Sequence, residues 1–194
     1  METNTNLELV GVTKRYGSTV AVRDVDHKFK EGSYTCLLGP SGCGKSSTLR
    51  MIAGHESVTE GAVVLAGRDV SHLPPAKRGT AMMFQNYALF PHLSVADNIG
   101  FGLAKGRRRS EKIEQLARLV GIEELIDRQP GEISGGQAQR VALARALAPN
   151  PDAILLDEPF AALDTVLRHQ LAREVVELLR EADTTCHASD IQLW

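Results

Sequence analysis

The sequence has few cysteines and no long apolar run, and each absence excludes a class of protein. Its three cysteines, Cys36, Cys43 and Cys186, show no paired spacing, which argues against a disulfide framework or a zinc site and indicates reduced thiols in a cytosolic protein. No segment reaches the roughly 18 uninterrupted apolar residues of a membrane-spanning helix. The polar start Met1–Asn6 lacks the apolar region of a signal peptide. We therefore expect a chain that reaches a membrane only through a partner.

An excess of charge of one sign is also lacking. Lysine and arginine number 22 against 24 aspartates and glutamates, which gives a formal net charge of -2. Proteins that bind nucleic acids are usually clearly basic, so we expect no nucleic-acid partner. The basic run Arg107–Arg109 is interpreted as a solvated loop that enters a helix. The 194 residues, of which 43% are hydrophobic and 24% charged, suit one folded domain with a sizeable core.

Strand-like and helix-like patterns alternate along the chain. Short runs of alternating or continuous apolar residues predict strands at Leu7–Thr13, Val20–Phe29, Tyr34–Leu38, Ala62–Leu65, Thr80–Phe84 and Ala153–Leu156. Apolar residues at helical spacing predict helices in Ser46–Ala53, in much of Val95–Leu147 and in Leu163–Ala182. This order predicts an α/β fold with a mainly parallel sheet, into which the middle helical block is inserted.

The segment Gly39–Ser46 predicts a phosphate-binding loop. It reads Gly39, Pro40, Ser41, Gly42, Cys43, Gly44, Lys45, Ser46, and it lies between a predicted strand and a predicted helix, as this motif requires. Glycines let backbone N–H groups curl around anionic oxygens, and the helix N-terminus adds positive partial charge. Lys45 is expected to reach the β- and γ-phosphates and Ser46 to place its hydroxyl on Mg²⁺. Ser47 follows directly and is included among the nucleotide-binding residues.

Two adjacent acids end the apolar strand Ala153–Leu156. Asp157 is expected beside the nucleotide, where it holds Mg²⁺ through water, and Glu158 is a candidate to orient and polarise an attacking water. Strands often end in acids, so this pair carries weight only because the phosphate loop precedes it.

A second Gly-rich turn stands before the helix predicted at Gln137–Leu147. Ser134, Gly135, Gly136 and Gln137 offer another helix N-terminus for an anion. Since the chain already has one phosphate loop, this second anion-binding turn suggests contact with a nucleotide held by a neighbouring chain. The plain alternative is an ordinary Gly-rich helix start.

Together these ordered motifs resemble the nucleotide-binding subunit of ATP-binding cassette (ABC) transporters from about Leu7 to about Ala182. The resemblance implies a P-loop NTPase (RecA-like) core with an N-terminal antiparallel β portion. It also implies that residues 1–194 form a single ABC ATPase domain with a helical subdomain at about 87–147. Two chains would face head to tail as a homodimer, with two ATP molecules and Mg²⁺ between the phosphate loop of one and Ser134–Gln137 of the other. Ile133 replaces the more usual leucine of that signature.

The resemblance gives roles to three further places. Tyr16 resembles the aromatic on which the adenine stacks; the alternative is an ordinary tyrosine at the end of a strand. Gln85 resembles the glutamine that contacts Mg²⁺ and the attacking water and links the site to the membrane subunit; the alternative is a surface glutamine. Ala162–Asp164 resembles the loop through which two active sites communicate, and a simple Asp helix cap is its alternative.

The segment Tyr87–Leu93 carries several apolar groups in a predicted loop and resembles the docking surface for the membrane permease. The alternative is a buried corner of the helical insertion. The sequences of Phe84–His92 and Leu156–Phe160 most resemble those of importer ATPases for polyamines, ferric iron, sulfate or sugars. The implied partners are permease subunits, a second ATPase subunit and, indirectly, a solute-binding protein. The implied location is the cytoplasmic face of the cell membrane, as a peripheral protein.

The C-terminal residues depart from the family pattern. After the long helix, family members have an apolar strand that ends in a histidine near the γ-phosphate, whereas the segment Asp183–Trp194 shows no such apolar run. We expect the strand to be missing or poor, and His187 stands about three residues too early for the family role. The sequence therefore predicts a truncated or frame-shifted, C-terminally incomplete domain.

Two rival functions remain at this point. The early histidine favours a nucleotide-binding module that does not hydrolyse ATP. A soluble ABC-type ATPase acting on DNA usually carries a long coiled coil between the phosphate loop and the signature, and the segment between Lys45 and Ser134 has no sustained heptads. The leading function is therefore ATP binding and hydrolysis that powers solute import.

Overall fold

The computed structural model describes residues 5–30, 34–84, 87–157 and 186–189. The strands are β1 Thr5–Tyr16, β2 Thr19–Lys30, β3 Tyr34–Leu37, β4 Glu60–Leu65, β5 Arg68–Asp69, β6 Thr80–Met83, β7 Ala153–Leu156 and β8 Cys186–Ser189. The α-helices are α1 Lys45–Ala53, α2 Val95–Ile99, α3 Arg107–Leu119 and α4 Gly135–Leu147. Short 3-10 turns lie at Pro75–Lys77, Glu123–Leu125 and Pro130–Glu132.

The N-terminal sheet is antiparallel, with strand order β2-β1-β4-β5. Alternating apolar residues of β1 point into the core, where Leu7 and Val12 are fully buried and Leu9 nearly so. This alternation is the pattern of a sheet with one buried and one solvated face. Register shifts interrupt the pairing of β1 with β2, and such bulges increase the local twist of the strands.

The second sheet is parallel, with strand order β3-β8-β7-β6. All four residues of β7 are completely buried, as expected for a strand covered on both faces. Because parallel strands end at the same edge of a sheet, β3 brings the phosphate loop and β7 brings Asp157 to one edge. The predicted α/β fold with an antiparallel β portion and a mainly parallel core is confirmed.

The strand expected to be missing or poor after the predicted long helix is present as a short strand of four residues. Cys186–Ser189 pairs in parallel with β3 on one side and with β7 on the other, so that Ala188 lies in register with Cys36 and Leu156. Sheet ladders are built from backbone N–H and C=O groups, which a short segment supplies without an apolar run. In the same register, His187 lies opposite Thr35 and Leu155.

Helices α2, α3 and α4 lie between β6 and β7 in the chain and share one core. The apolar residues Ile113, Leu116 and Ala117 of α3 are buried, together with Val120 directly after the helix. They pack with α4 and with Met83, Ile154 and Leu156 of the parallel sheet. A second core joins α1 to the antiparallel sheet, with Leu49, Met51 and Ile52 against β1, β2 and β4.

Arg78 fixes the end of α1 against the segment that leads into β6. This residue is 4% exposed, and its guanidinium donates to the carbonyl oxygens of Met51 (2.6 Å), Ile52 (3.1 Å), Ser71 (2.7 Å) and Leu73 (2.7 Å). Burial lowers the pKa of Arg78 from its usual value. A cation at the C-terminus of a helix also interacts favourably with the helix dipole.

Within the described ranges, no helix combines the length and the apolar character that a membrane crossing requires.

Candidate functional site

The phosphate loop runs from the end of β3 into α1. Gly44 occupies the N-cap of α1 with φ 95°, and no side chain caps this helix. The first N–H groups of an α-helix have no partner within the helix. The start of α1 therefore offers backbone donors and positive partial charge to an anion.

Two glycines give the loop its shape. Gly42 and Gly44 both have positive φ, at 82° and 95°. A Cβ on Gly44 would stand 2.6 Å from the carbonyl oxygen of Ala21 and 2.8 Å from Cγ2 of Val22. Any side chain at Gly44 would thus collide with β2 in addition to straining the backbone.

Lys45 folds back over this loop. Its Nζ donates to the carbonyl oxygens of Gly39 at 2.7 Å and Pro40 at 3.1 Å, and it lies 3.9 Å from Sγ of Cys43. The ammonium therefore lies among the loop residues, where an anionic group cradled by the loop would meet it. Ser41, between Pro40 and Gly42, is exposed.

The structure brings Ser46 and Asp157 together. The Ser46 hydroxyl donates to Oδ1 of Asp157 at 2.7 Å, although 111 positions separate them in the chain, and Asp157 is 5% exposed. A hydroxyl and a carboxylate are hard oxygen donors that suit Mg²⁺, which takes few protein ligands and keeps waters or phosphate oxygens. Within the described residues, no cluster of three or more His, Cys, Asp or Glu is arranged to hold a metal.

Arg50, which belongs to none of the predicted motifs, also lies close to the Ser46–Asp157 pair. One turn beyond Ser46 on α1, its Nη2 lies 3.7 Å from Oδ2 of Asp157. Its Nη1 lies 3.7 Å from Oε1 of Glu56. An arginine at helical spacing from Ser46 is the only sequence signal for this contact.

Tyr16 lies beside the first turn of α1. Its hydroxyl is 3.2 Å from Oγ of Ser47 and also donates to the Glu56 carboxylate. Burial of the hydroxyl, followed by the hydrogen bond to Glu56, raises the pKa of Tyr16. The side chain as a whole is 47% exposed, so an aromatic surface stands near the phosphate loop.

The signature turn forms the N-terminus of α4. Ser134 is the N-cap: its Oγ accepts from the Gln137 N–H at 3.3 Å, and the Gln137 side chain accepts from the Ser134 N–H at 2.8 Å. This capping box uses some of the donors at the helix start. A Cβ on Gly135 or Gly136 would meet no atom within 4 Å in the part of the chain that the structure describes.

In the segment Tyr87–Leu93, Ala88, Pro91 and His92 are exposed and the other four residues are half-buried. The side chain of Arg145 donates to the carbonyl oxygens of Tyr87 (2.7 Å) and Ala88 (2.8 Å), both of which have positive φ. The fully buried Asn98 bonds to the backbone of Phe90 in both directions, at 2.9 and 3.1 Å. These contacts hold the loop in one conformation.

An aromatic pair with one exposed member extends this segment. Phe90 stacks on Phe101 with ring centroids 4.3 Å apart, and Phe101 is 61% exposed. No sequence motif marks Phe101. In the sequence, Arg145 stands at helical spacing from the apolar residues Val141 and Ala148. A charged residue among such apolar neighbours is the sequence signal for the arginine that holds this loop.

Several predicted site residues lie outside the described residues. They are Gln85, Glu158, the loop Ala162–Asp164 and the long helix predicted at Leu163–Ala182.

Comparison with known proteins agrees with this arrangement. A family model described as ABC transporter matches residues 22–161. The chain is 52% identical over 187 residues to the spermidine/putrescine import ATP-binding protein PotA of Frankia alni, covering 92% of this chain and 40% of that protein. It is 48% identical over 185 residues to the Fe(3+) ions import ATP-binding protein FbpC of Mesorhizobium japonicum, covering 92% and 51%.

A similar relation holds for a sugar importer and for a solved structure. The maltose/maltodextrin import ATP-binding protein MalK of Yersinia pestis is 44% identical over 184 residues, with 93% of this chain and 50% of that protein covered. The chain thus spans about half the length of these curated relatives. The crystal structure of MJ1267, an ATP-binding cassette of an ABC transporter in its ADP conformation, superposes with a TM-score of 0.82 at 27% identity over 98% of this chain and 82% of that one. The chain therefore belongs to the ABC transporter family.

Proposed function

We propose that this chain binds ATP with Mg²⁺ and, paired with a second copy, hydrolyses ATP to power solute import through a membrane permease. The hydrogen bond between Ser46 and Asp157 carries the proposal, because it places a hydroxyl and a carboxylate at the start of the helix that opens with the phosphate loop. The relatives of this chain are named as import ATP-binding proteins.

The residues of the site have separate roles in ATP binding and hydrolysis. The loop Gly39–Ser46 binds the phosphates through backbone N–H groups, and Lys45 neutralises the charge that develops during attack of water on the γ-phosphate. Ser46 and Asp157 hold Mg²⁺, which when bound neutralises phosphate charge. Glu158 orients the attacking water and accepts its proton. Gln85 is assigned, from the family resemblance, to sensing Mg²⁺ and the attacking water and to coupling with the permease.

The glycines of α4 support contact with a second chain. Gly135 and Gly136 are the first two residues of α4, and a Cβ on either would meet no atom of the described residues within 4 Å, so no contact within the described chain requires glycine there. A group that approaches closely from outside explains both. We assign that group to the ATP of the partner subunit in a head-to-tail homodimer.

The remaining assignments follow from the same arrangement. Tyr16 offers its exposed ring to the adenine, a stack worth roughly 0.5–1.5 kcal/mol beyond burial. The loop Tyr87–Leu93, with the exposed Phe101 beside it, docks the permease. The protein then lies peripherally at the cytoplasmic face of the membrane and meets a solute-binding protein only indirectly. Polyamines, ferric ions and sugars are the solute classes that the relatives suggest.

The first experiment compares thermal melts of the purified chain with and without Mg-ATP. Ligand at 100 times its Kd stabilises a competent site by about 2.7 kcal/mol, which raises the Tm of a domain of this size by roughly 5–10 °C. We expect this shift in the parent chain and in Lys105→Ala, whose lysine is exposed, and no shift in Lys45→Ala. Absence of a shift in the parent would contradict ATP binding.

Phosphate release then separates hydrolysis from binding alone. We expect Glu158→Gln to keep the ATP-induced Tm shift and to lose steady-state phosphate release. Turnover at the parent rate in Glu158→Gln would refute its role as the base. An ATP-induced Tm shift without phosphate release in the parent would instead favour the nucleotide-binding module that does not hydrolyse. Co-purification with an integral membrane protein tests the permease contact.

A further inference from the structure

Three side chains hold the ring of Tyr16 in place. Its hydroxyl donates to a carboxylate oxygen of Glu56 and lies 3.2 Å from Oγ of Ser47. The Nζ of Lys14 lies 5.0 Å from the centre of the ring, within the range of a cation–π contact. An ordinary exposed tyrosine at the end of a strand has no need of such an arrangement.

Glu56 is itself fixed by its surroundings. It follows the C-terminal end of α1, where its N–H donates to the Arg50 carbonyl at 3.2 Å, and its side chain is only 19% exposed. One carboxylate oxygen lies 3.7 Å from Arg50, and the other lies 4.0 Å from Lys14. Lys14 in turn donates to the Ser57 carbonyl at 2.6 Å. The carboxylate therefore receives the Tyr16 hydroxyl from a rigid position.

The same carboxylate connects the two ends of the site. Arg50 lies between Glu56 and Asp157, at 3.7 Å from each carboxylate, and Asp157 accepts from Ser46. An unbroken series of polar contacts thus runs from the ring of Tyr16 to the pair assigned to Mg²⁺.

We propose that Glu56 is a positioning residue of the nucleotide site, which holds the ring of Tyr16 in the orientation that stacks on the base and links that ring through Arg50 to Asp157. This inference rests on the proposed function, because it takes Tyr16 as the stacking residue. A ring that is already oriented loses little side-chain freedom when the base binds, so affinity for the base rises without a new contact.

The test separates the base from the phosphates. Affinities for ATP and for tripolyphosphate, which lacks a base, are measured by calorimetry with a chelator present, so that the Mg²⁺ pair does not contribute. We expect Glu56→Ala to weaken ATP binding by roughly three- to tenfold, the cost of ordering one side chain on binding, and to leave tripolyphosphate affinity unchanged. Glu56→Gln, which keeps an acceptor, should fall between Glu56→Ala and the parent.

Two further variants show whether Glu56 acts through Tyr16. In a Tyr16→Phe background, which keeps the ring and removes the hydroxyl, Glu56→Ala should weaken ATP binding by less than about twofold. Glu60→Ala is the matched control, since Glu60 is 60% exposed and pairs with Arg15; it should leave ATP affinity unchanged.

The outcomes distinguish this inference from the proposed function. Equal losses for ATP and tripolyphosphate, no loss for ATP, or a full loss in the Tyr16→Phe background would overturn the role of Glu56 and leave ATP binding standing. A parent chain that does not bind ATP overturns both proposals. If ATP binds but Tyr16→Ala leaves its affinity unchanged, the stacking assignment falls and the role of Glu56 with it.

A spectroscopic measurement without nucleotide covers the case in which Glu56→Ala does not fold. The ¹³Cζ resonance of labelled Tyr16, assigned with Tyr16→Phe, should move in Glu56→Gln and stay in place in Glu60→Gln. A Tyr16 resonance that is the same in all folded variants would show that Glu56 does not hold the hydroxyl.

Discussion

Removal of the Arg78 side chain should destabilise this protein more than most single substitutions. Its guanidinium donates four hydrogen bonds to carbonyl oxygens and is 4% exposed. Hydrogen bonds to a charged group are worth about 1.5–3 kcal/mol each and are not additive. We expect Arg78→Ala to lower the free energy of unfolding by about 3–5 kcal/mol, out of a total of roughly 5–15 kcal/mol for a domain.

Conservative and neighbouring variants make this expectation specific. Arg78→Lys keeps the charge but loses the planar fork, so we expect a loss of roughly 1–3 kcal/mol. Gly54→Ala should also destabilise, because a Cβ there would stand 2.4 Å from Nε of Arg78 and φ is 83°. This substitution should cost less in an Arg78→Ala background, where the collision is gone. Lys77→Ala, at an exposed neighbour, should change stability by less than about 0.5 kcal/mol.

The assay is urea denaturation at neutral pH, followed by circular dichroism, with the slope of each transition compared among variants. An unchanged slope shows that the midpoints report stability rather than a change in the unfolded state. The corresponding Tm of Arg78→Ala should fall by roughly 6–20 °C, at about 2–4 °C per kcal/mol for a domain of this size. If Arg78→Ala loses no more than Lys77→Ala, the four hydrogen bonds do not hold the end of α1 and the reasoning fails.

Two further expectations concern stability. Neither amide atom of the buried Gln139 has a hydrogen-bond partner within the described chain. Gln139→Met should therefore raise the free energy of unfolding by about 1–2 kcal/mol, whereas Gln115→Met, at an exposed position, should not. A lower free energy of unfolding in Gln139→Met would contradict this. Hydrogen bonds from the Ser71 side chain, and then from its N–H, lower the pKa of Asp69 from 3.8. Asp69 therefore stabilises the fold above that pH and loses this contribution as the pH falls. Asp69→Asn should then flatten the acid side of a plot of unfolding free energy against pH. An unchanged acid side would show that Asp69 does not make this contribution.

The elements that the sequence predicted well are those with a strong local signal. Ala153–Leu156 forms a strand with the predicted bounds, because a continuous apolar run is typical of a strand buried on both faces. Helix α1 begins at Lys45, directly after the glycines of the loop, because only a glycine at position 44 allows the close approach to β2. In both cases the information lies within a few neighbouring residues.

The features that the sequence analysis missed depend on partners far away in the chain. The strand Cys186–Ser189 forms because β3 and β7 present backbone groups on either side of it, and side-chain patterning does not report that. Tyr16 and Glu56 are 40 residues apart in the sequence, and Arg145 is 57 residues from Ala88 and 58 from Tyr87. The apolar residues around Arg145 in the sequence do not show that backbone carbonyl oxygens accept hydrogen bonds from its side chain.

The arginines discussed above, Arg78, Arg145 and Arg50, fall into two kinds according to the groups that accept their hydrogen bonds or face their charge. Arg78 and Arg145 donate to backbone carbonyl oxygens, which carry no net charge and do not titrate, so these clamps are insensitive to the arrival or departure of phosphate charge. Arg50 instead faces the carboxylates of Glu56 and Asp157, whose field changes when a cation or a polyanion binds beside them. One set of arginines thus holds the framework, whereas Arg50 is the cation that we expect to respond to a bound nucleotide. This expectation is why our proposal places the link between the base and the Mg²⁺ pair at Arg50.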